Sequence, residues 1–254
     1  MIDIHCHILP GVDDGPATIE ESLLMAREAV NEGIVTIIAT PHHRNNKYEN
    51  KKSSILEHIS NFNDILNKEN IPLEILPGQE NRIYGEIIED FQSSEILTLN
   101  KSKYLFVEFP TSSVPRYTTK LLYNLQIEGL TPIIVHPERN KELIENPSIL
   151  YNLVNNGALA QVTAGSLAGY FGKSIQKFSK RLIEHNLIHF VASDAHNTHN
   201  RSFKLNEAYN LIESEFGVDY VYMFTENAEC VIQNSNIIKE VPEDIKRKKI
   251  LGLF

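Results

Sequence analysis

An α/β fold built on a parallel sheet is what the 254-residue sequence predicts, on three observations. Short, almost continuously apolar runs alternate with longer amphipathic stretches over most of the chain. The runs lack strict in–out alternation, which is how strands covered on both faces look. Imidazole and carboxylate side chains also stand at the C-terminal ends of most runs, the edge where parallel α/β folds place their sites.

The strand-like runs are residues 2–6, 35–40, 73–76, 104–109, 132–135, 158–162 and 188–192. Between them the helical patterns cover 18–31, 53–68, 118–128, 141–155, 173–184 and 202–216. Ile19, Leu23, Ala26 and Val30 recur at helical spacing, as do Ile55, Ile59, Phe62 and Leu66. Thr18 followed by Glu21 has the capping-box spacing. Gly33 and Gly157 follow helical runs, where a left-handed residue is commonly needed. Pro72 and Pro132 sit at strand starts, where a missing donor does least harm. Repeated strand–helix units imply right-handed crossovers, and seven of them come one short of the usual eight-stranded barrel. No linker interrupts the pattern, so residues 1–254 are expected to form one domain. Residues 217–254 are expected to be a tail packing on the barrel, with an apolar segment at 220–224 and a short helix near 227–234.

Composition narrows the function. Lys+Arg 24 against Asp+Glu 33 gives a formal charge of −9, which disfavours nucleic acid and anionic membranes at long range. Bound divalent cations reverse that balance locally. The two cysteines, Cys6 and Cys230, supply no disulfide framework. No signal peptide or membrane-spanning stretch is apparent, so the expectation is a soluble, cytoplasmic protein without membrane insertion.

The chemistry lies at the strand ends. His5 and His7 close the first run, and His42 and His43 follow the second. Glu80 follows the third, and Glu108 lies near the end of the fourth. His136, Glu138 and Arg139 follow the fifth; Asp194 and His196 follow the seventh. Residues two apart on a strand share a face, so His5 and His7 point together and Cys6 points away. Imidazoles and carboxylates without thiolate argue against a structural zinc site and suit Mn, Fe, Zn or Mg. The donors outnumber what one ion takes, at roughly four to six per centre, so two or three ions are expected. Arg139 and Arg201 carry forks that match phosphate oxygens, and a cationic pocket needs an anion to balance them. The alternative for Arg139 is a salt bridge to a carboxylate behind the ligands, such as Glu138. His43 is expected to face away, His189 to be a packed core residue, and His199 is either a proton donor or surface.

Other phosphatase chemistries are absent. Neither Cys6 nor Cys230 has an arginine six residues on, where Val12 and Asn236 stand. There is no Asp-x-Asp at a strand end, no phosphate loop, no Gly-x-Ser-x-Gly elbow and no His-Glu-x-x-His helix.

The segments Asp3-Ile4-His5-Cys6-His7, Thr40-Pro41-His42, Gly78-Gln79-Glu80, His136-Pro137-Glu138-Arg139 and Ser193-Asp194-Ala195-His196 resemble the PHP (polymerase and histidinol phosphatase) family. The match runs in order from residue 1 to about 201. It implies a distorted, TIM-like (β/α)7 barrel with a trinuclear centre. Residues 9–16, Glu108 and Gln161-Val162-Thr163-Ala164-Gly165-Ser166 bring the chain nearest to the bacterial manganese-dependent protein-tyrosine phosphatases of capsule and exopolysaccharide operons. That resemblance implies His5, His7, Glu80 and Asp194 around one ion. It implies Glu80, Glu108 and His136 around a second, and Asp14, His42 and His196 around a third. Asp14 and Glu108 stand where many relatives carry histidine, which makes the centre richer in oxygen and suits Mn²⁺. Arg139 and Arg201 match phosphate-binding arginines. The implied activity is hydrolysis of phosphotyrosine on the C-terminal tail of an autophosphorylating kinase, regulating capsule synthesis. Competing expectations are a histidinol-phosphatase-like small-molecule enzyme, a 3′–5′ exonuclease disfavoured by charge, and a non-catalytic scaffold binding the kinase tail.

Overall fold

The computed structural model describes residues 1–246. Its strands are β1 (Ile2–Cys6), β2 (Thr36–Ala39), β3 (His42–His43), β4 (Glu74–Pro77), β5 (Glu80–Arg82), β6 (Tyr104–Glu108), β7 (Thr131–Val135), β8 (Leu159–Thr163) and β9 (Phe190–Ala192). They form two parallel sheets, ordered β1-β2-β4 and β3-β5-β6-β7-β8-β9. Two of the predicted runs, 35–40 and 73–76, are thus each followed by a further short strand, β3 and β5, that the sequence pattern does not give. Pro41 has no N–H to continue the ladder between β2 and β3. Between β4 and β5, Gly78 runs so close to β2 that a Cβ there would lie 2.6 Å from Ile38 Cγ2. The two sheets meet along β1: Asp194 N donates to His5 O at 2.8 Å and His7 N to Ala195 O at 2.9 Å. The parallel architecture is as expected.

The helices are α1 (Ile19–Asn31), α2 (Lys52–Lys68), α3 (Ile87–Gln92), α4 (Thr118–Ile127), α5 (Lys141–Glu145), α6 (Ser148–Asn155), α7 (Ala164–Ala168), α8 (Lys173–Glu184), α9 (Leu205–Phe216) and α10 (Val218–Ile232). Thr18 caps α1 by accepting from Glu21 N at 3.3 Å, while Glu21 accepts from Ala17 N at 2.7 Å. The single helix expected over 141–155 breaks into α5 and α6. Pro147 disfavours the helical region for Asn146, which adopts φ −133°.

The apolar residues form two groups. One lies between strands and helices and includes Ile37, Leu105, Ile134 and Val162. The other is a second cluster that holds Ile4, Ile38, Tyr104, Phe106, Ile133, Leu159 and Phe190. A bulge in β1 between Asp3 and Cys6 lets Ile4 join the second cluster while Cys6 joins the first. The expected short helix near 227–234 is corrected: α10 spans 218–232 and absorbs the apolar segment 220–224. Its Ala228 and Val231 join the second cluster. After α10 the chain stays on the body, with Tyr104 Oη donating to Ser235 O at 2.6 Å and Glu243 N to His185 O at 2.8 Å. The end of the expected tail, 247–254, lies outside the described residues. No helix among the described residues is long and apolar enough to cross a membrane.

Candidate metal centre

Of the strand-end donors singled out in the sequence, His5, His7, His42, Glu80, Glu108, His136, Asp194 and His196 arrive at one place, and His43 and Glu138 do not. His5 and His7 face each other, Nε2 to Nε2, at 3.3 Å, and Cys6 is buried on the other side with Sγ toward Ala195 O. Glu80 is central and fully buried. Its Oε2 lies 2.7 Å from His42 Nδ1, 3.2 Å from His7 Nε2 and 3.6 Å from His5 Nε2. Its Oε1 lies 2.8 Å from His136 Nε2. Asp194 Oδ1 is 3.4 Å from both His5 Nε2 and His7 Nε2. Asp14 Oδ1 is 3.3 Å from both His42 Nε2 and His196 Nε2. Glu108 Oε2 is 3.8 Å from His42 Nδ1.

The donor atoms fall into three close groups: His7, Asp14, His42 and His196; His5, His7 and Glu80; His42, Glu80 and Glu108. The division differs from the implied one in three respects. His7 also joins the Asp14 group, Asp194 falls in none of the groups, and His42 stands with Glu80 and Glu108 where His136 was expected. Within reach of the same cluster, His136 and Asp194 sit in left-handed backbone, at φ 35° and 52°. Such strain in non-glycine residues gathers at functional sites.

The donor set fits a divalent cation. His42 Nδ1, Glu80 Oε2, Glu108 Oε2 and His196 Nε2 are buried without a hydrogen-bond partner. His42 Nδ1 and Glu80 Oε2 are near neighbours, yet they are not aligned as donor and acceptor. Buried polar atoms rarely go unpaired, and four converging here are ready ligand atoms. Burial opposes the charge of Glu80, but His42 and His5 hold its carboxyl well below the usual range. Burial and then the charge of Glu80 push Glu108 up to about 7. Burial depresses His136 and His196 to about 4, leaving both imidazoles neutral, the form in which they ligate.

Residues behind the donors fix their orientation. Asp13 Oδ2 is 2.6 Å from His7 Nδ1, and Gln161 Oε1 is 2.9 Å from His5 Nδ1. Arg82 Nη2 holds Glu108 Oε1 at 3.1 Å. Asp3, pushed up to about 6 by burial, ties β1 to the Asp194 loop by accepting from Ser193 N (3.0 Å) and Oγ (2.5 Å). Sequence reasoning assigned none of these roles.

Both arginines line the same cavity, of about 230 Å³, with His42, Glu108, His136 and Asp194. Arg139 does form a salt bridge, but not with Glu138. Arg139 pairs with Asp194, while Glu138 turns away to accept from Thr163 N and Ser166 Oγ. Arg201 Nη1 reaches Asp14 Oδ2 at 3.3 Å and Nη2 reaches Asp194 Oδ2 at 3.2 Å. Of the less certain histidines, His43 is buried in none of the three groups, and His199 is exposed. His189 is buried just ahead of β9, with Nδ1 accepting from Ala160 N at 3.1 Å. The 44–50 loop lies against the site: Tyr48 stacks near His42, and Asn50 donates to His42 O at 2.9 Å.

Parallel sheets carrying a dense imidazole and carboxylate centre, beside two arginines, define the class as metal-dependent hydrolase. The family model for capsular polysaccharide synthesis proteins CpsB/CapC matches residues 1–233, and the chain belongs to that family. It is 54% identical over 254 residues to tyrosine-protein phosphatase YwqE of Bacillus subtilis, covering 100% of both chains. It is 41% identical over 255 residues to the putative tyrosine-protein phosphatase CapC of Staphylococcus aureus, again covering 100% of both. The crystal structure of YwqE superposes with a TM-score of 0.96 at 54% identity, covering 97% of this chain and 100% of that one. YwqE and CpsB of Streptococcus pneumoniae are described together as unique metal-dependent tyrosine phosphatases.

Proposed function

We propose that this chain is a metal-dependent protein-tyrosine phosphatase. Its centre is assigned to His5, His7, Asp14, His42, Glu80, Glu108, His136, Asp194 and His196, with Arg139 and Arg201 binding the phosphate. The observation that carries this reading is the clustering of the donor groups beside one cavity, lined by His42, Glu108, His136 and Asp194 together with both guanidinium groups. Family membership and the named activity of the relatives support it. The oxygen-rich donor set favours Mn²⁺ over Fe, Zn or Mg, and three overlapping donor groups favour two or three ions.

Bound divalent cations supply charge neutralisation and a nucleophilic water near neutral pH. The chain's own residues do the rest. Arg139 and Arg201 grip the equatorial oxygens, to which their planar forks are matched. Phe109, Val135 and Pro137 give the cavity an apolar wall against which an aromatic ring can lie. A phenolate of pKa about 10 leaves more readily than an alkoxide, so the reaction makes little demand on a general acid.

The physiological substrate is proposed to be the tyrosine-bearing C-terminal tail of an autophosphorylating kinase, with the phosphatase regulating capsular or exopolysaccharide synthesis from the cytoplasm. The chain is taken to act as one domain whose seven strand–helix units approach a closed barrel. The hydrogen bonds between β1 and the Asp194 loop support that closure. Turnover of phosphotyrosyl peptide, histidinol phosphate and single-stranded DNA, compared side by side with added Mn²⁺, tests the proposal. Phosphotyrosyl peptide is expected to be hydrolysed fastest. Faster turnover of histidinol phosphate would identify a small-molecule phosphatase, and peptide binding without turnover would identify a scaffold.

A further inference from the structure

The segment Gln161-Val162-Thr163-Ala164-Gly165-Ser166 takes part in the metal centre only through Gln161. Much of the remainder, with the residues that follow, is devoted to one neighbour, the 3₁₀ turn Pro137–Arg139. Glu138 is fully buried, and its Oε1 accepts from Thr163 N at 3.0 Å and from Ser166 Oγ at 2.7 Å. One residue on, the Arg139 guanidinium lies over the ring of Phe171, 5.3 Å from its centroid. Gly165 makes room for that ring, because a Cβ there would meet it at 3.1 Å. Phe171 is itself set between Gly169 and Gly172, both in left-handed backbone at φ 91° and 94°.

Arg139 is therefore held from two directions, by the ring and by Asp194. Its Nε is buried with no hydrogen-bond partner, in a side chain that lines the cavity. A guanidinium is planar and weakly hydrated, so it stacks on an aromatic ring where an ammonium would prefer water. Two-pronged recognition of phosphate depends on the orientation of that plane.

We infer that Phe171 and Glu138 are positioning residues for Arg139: the ring sets the tilt of the guanidinium, and the buried carboxylate locks the turn from which it springs. The inference rests on Arg139 being a phosphate ligand. A purely structural Phe171 would act on stability, and its effects would not depend on whether Arg139 is present.

The test uses the full, Mn²⁺-loaded chain with Phe171→Leu and Phe171→Tyr. Affinity for inorganic phosphate is read by calorimetry, and kcat, KM and metal content are measured beside it. Phe171→Leu is expected to weaken phosphate binding by about fivefold, the size of an aromatic–cation contact. KM for phosphotyrosyl peptide should rise by a similar factor, with kcat little changed and metal content intact. Phe171→Tyr should restore both constants, and Phe171→Leu should add nothing in an Arg139→Ala background. An unchanged phosphate affinity in folded, metal-loaded Phe171→Leu would overturn the inference, as would an equal loss in the Arg139→Ala background. The phosphate measurement stands even if phosphotyrosyl peptide proves not to be the substrate, which keeps the two failures apart.

Discussion

Asp13 Oδ2 stands 2.6 Å from His7 Nδ1, and that pairing leaves Nε2 as the nitrogen His7 turns toward Glu80 and Asp194. The same carboxylate accepts from His42 N at 3.1 Å and Gly15 N at 2.9 Å, so it fixes a ligand ring, a ligand backbone and a loop together. Burial works against its charge, yet His7 holds it down at about 2. Removing a carboxylate that orients a ligating imidazole lowers metal affinity by about 10–100-fold. Asp13→Ala is expected to raise the Mn²⁺ concentration for half-maximal activity by that factor, and an unchanged requirement would remove Asp13 from the centre.

Arg139 and Arg201 converge on Asp194 from separate loops, and both line the cavity. Replacing either with Ala is expected to lower kcat/KM for phosphotyrosyl peptide by about a hundredfold, the cost of one preorganised charge-stabilising donor. Metal content should be retained. Lysine should rescue poorly, because a point charge cannot reproduce the fork. Steady-state kinetics beside metal analysis checks both statements.

Asn227 ties α10 to the rest of the fold. Its Nδ2 donates to His189 O at 3.0 Å and Ile238 O at 2.8 Å, and its Oδ1 accepts from Ile238 N at 2.8 Å. Asn227→Ala removes all three bonds, including the buried one to His189 O, and is expected to cost about 1–3 kcal/mol. Denaturant titration should record that loss with the Mn²⁺ requirement unaltered.

His189 makes stability fall toward acid pH. Burial, with Lys239 acting in the same sense, lowers it from 6.5 to about 3. Between those values the unfolded chain binds the proton and the folded chain does not. Its contribution is therefore complete above pH 6.5 and is lost as pH falls through that window. Asp3 acts in the opposite sense, since burial raises its carboxyl to about 6. The informative quantity is therefore the difference between wild type and His189→Gln in metal-free protein. That difference should shift in favour of the variant as pH falls from 6.5 to 4, and a pH-independent difference would contradict it.

The centre was legible in the sequence because its chemistry sits at strand ends, where parallel folds converge. His5, His7, His42, Glu80, Glu108, His136, Asp194 and His196 all follow or end an apolar run. Asp14 and Arg201 came only with the family motifs and the short distance to Asp194. What stayed hidden depends on contacts across the chain: Gln161 meets His5 over 156 residues of separation, and Arg82 meets Glu108 across neighbouring strands. The bulge in β1 was invisible because it leaves no mark in hydrophobicity. Helix α10 was underread for a local reason. Val218, Tyr220, Val221, Tyr222 and Phe224 are β-branched or aromatic and suggest a strand, whereas the buried set Phe224, Asn227, Ala228 and Val231 has helical spacing with a polar residue in it.

The most direct test of the whole account is to strip the purified chain with chelator, measure hydrolysis of a phosphotyrosyl peptide, and then add Mn²⁺ back. The expected result is loss of turnover on stripping and recovery on addition, with His136→Ala and Glu80→Gln failing to recover. Undiminished turnover by the metal-free chain would contradict it.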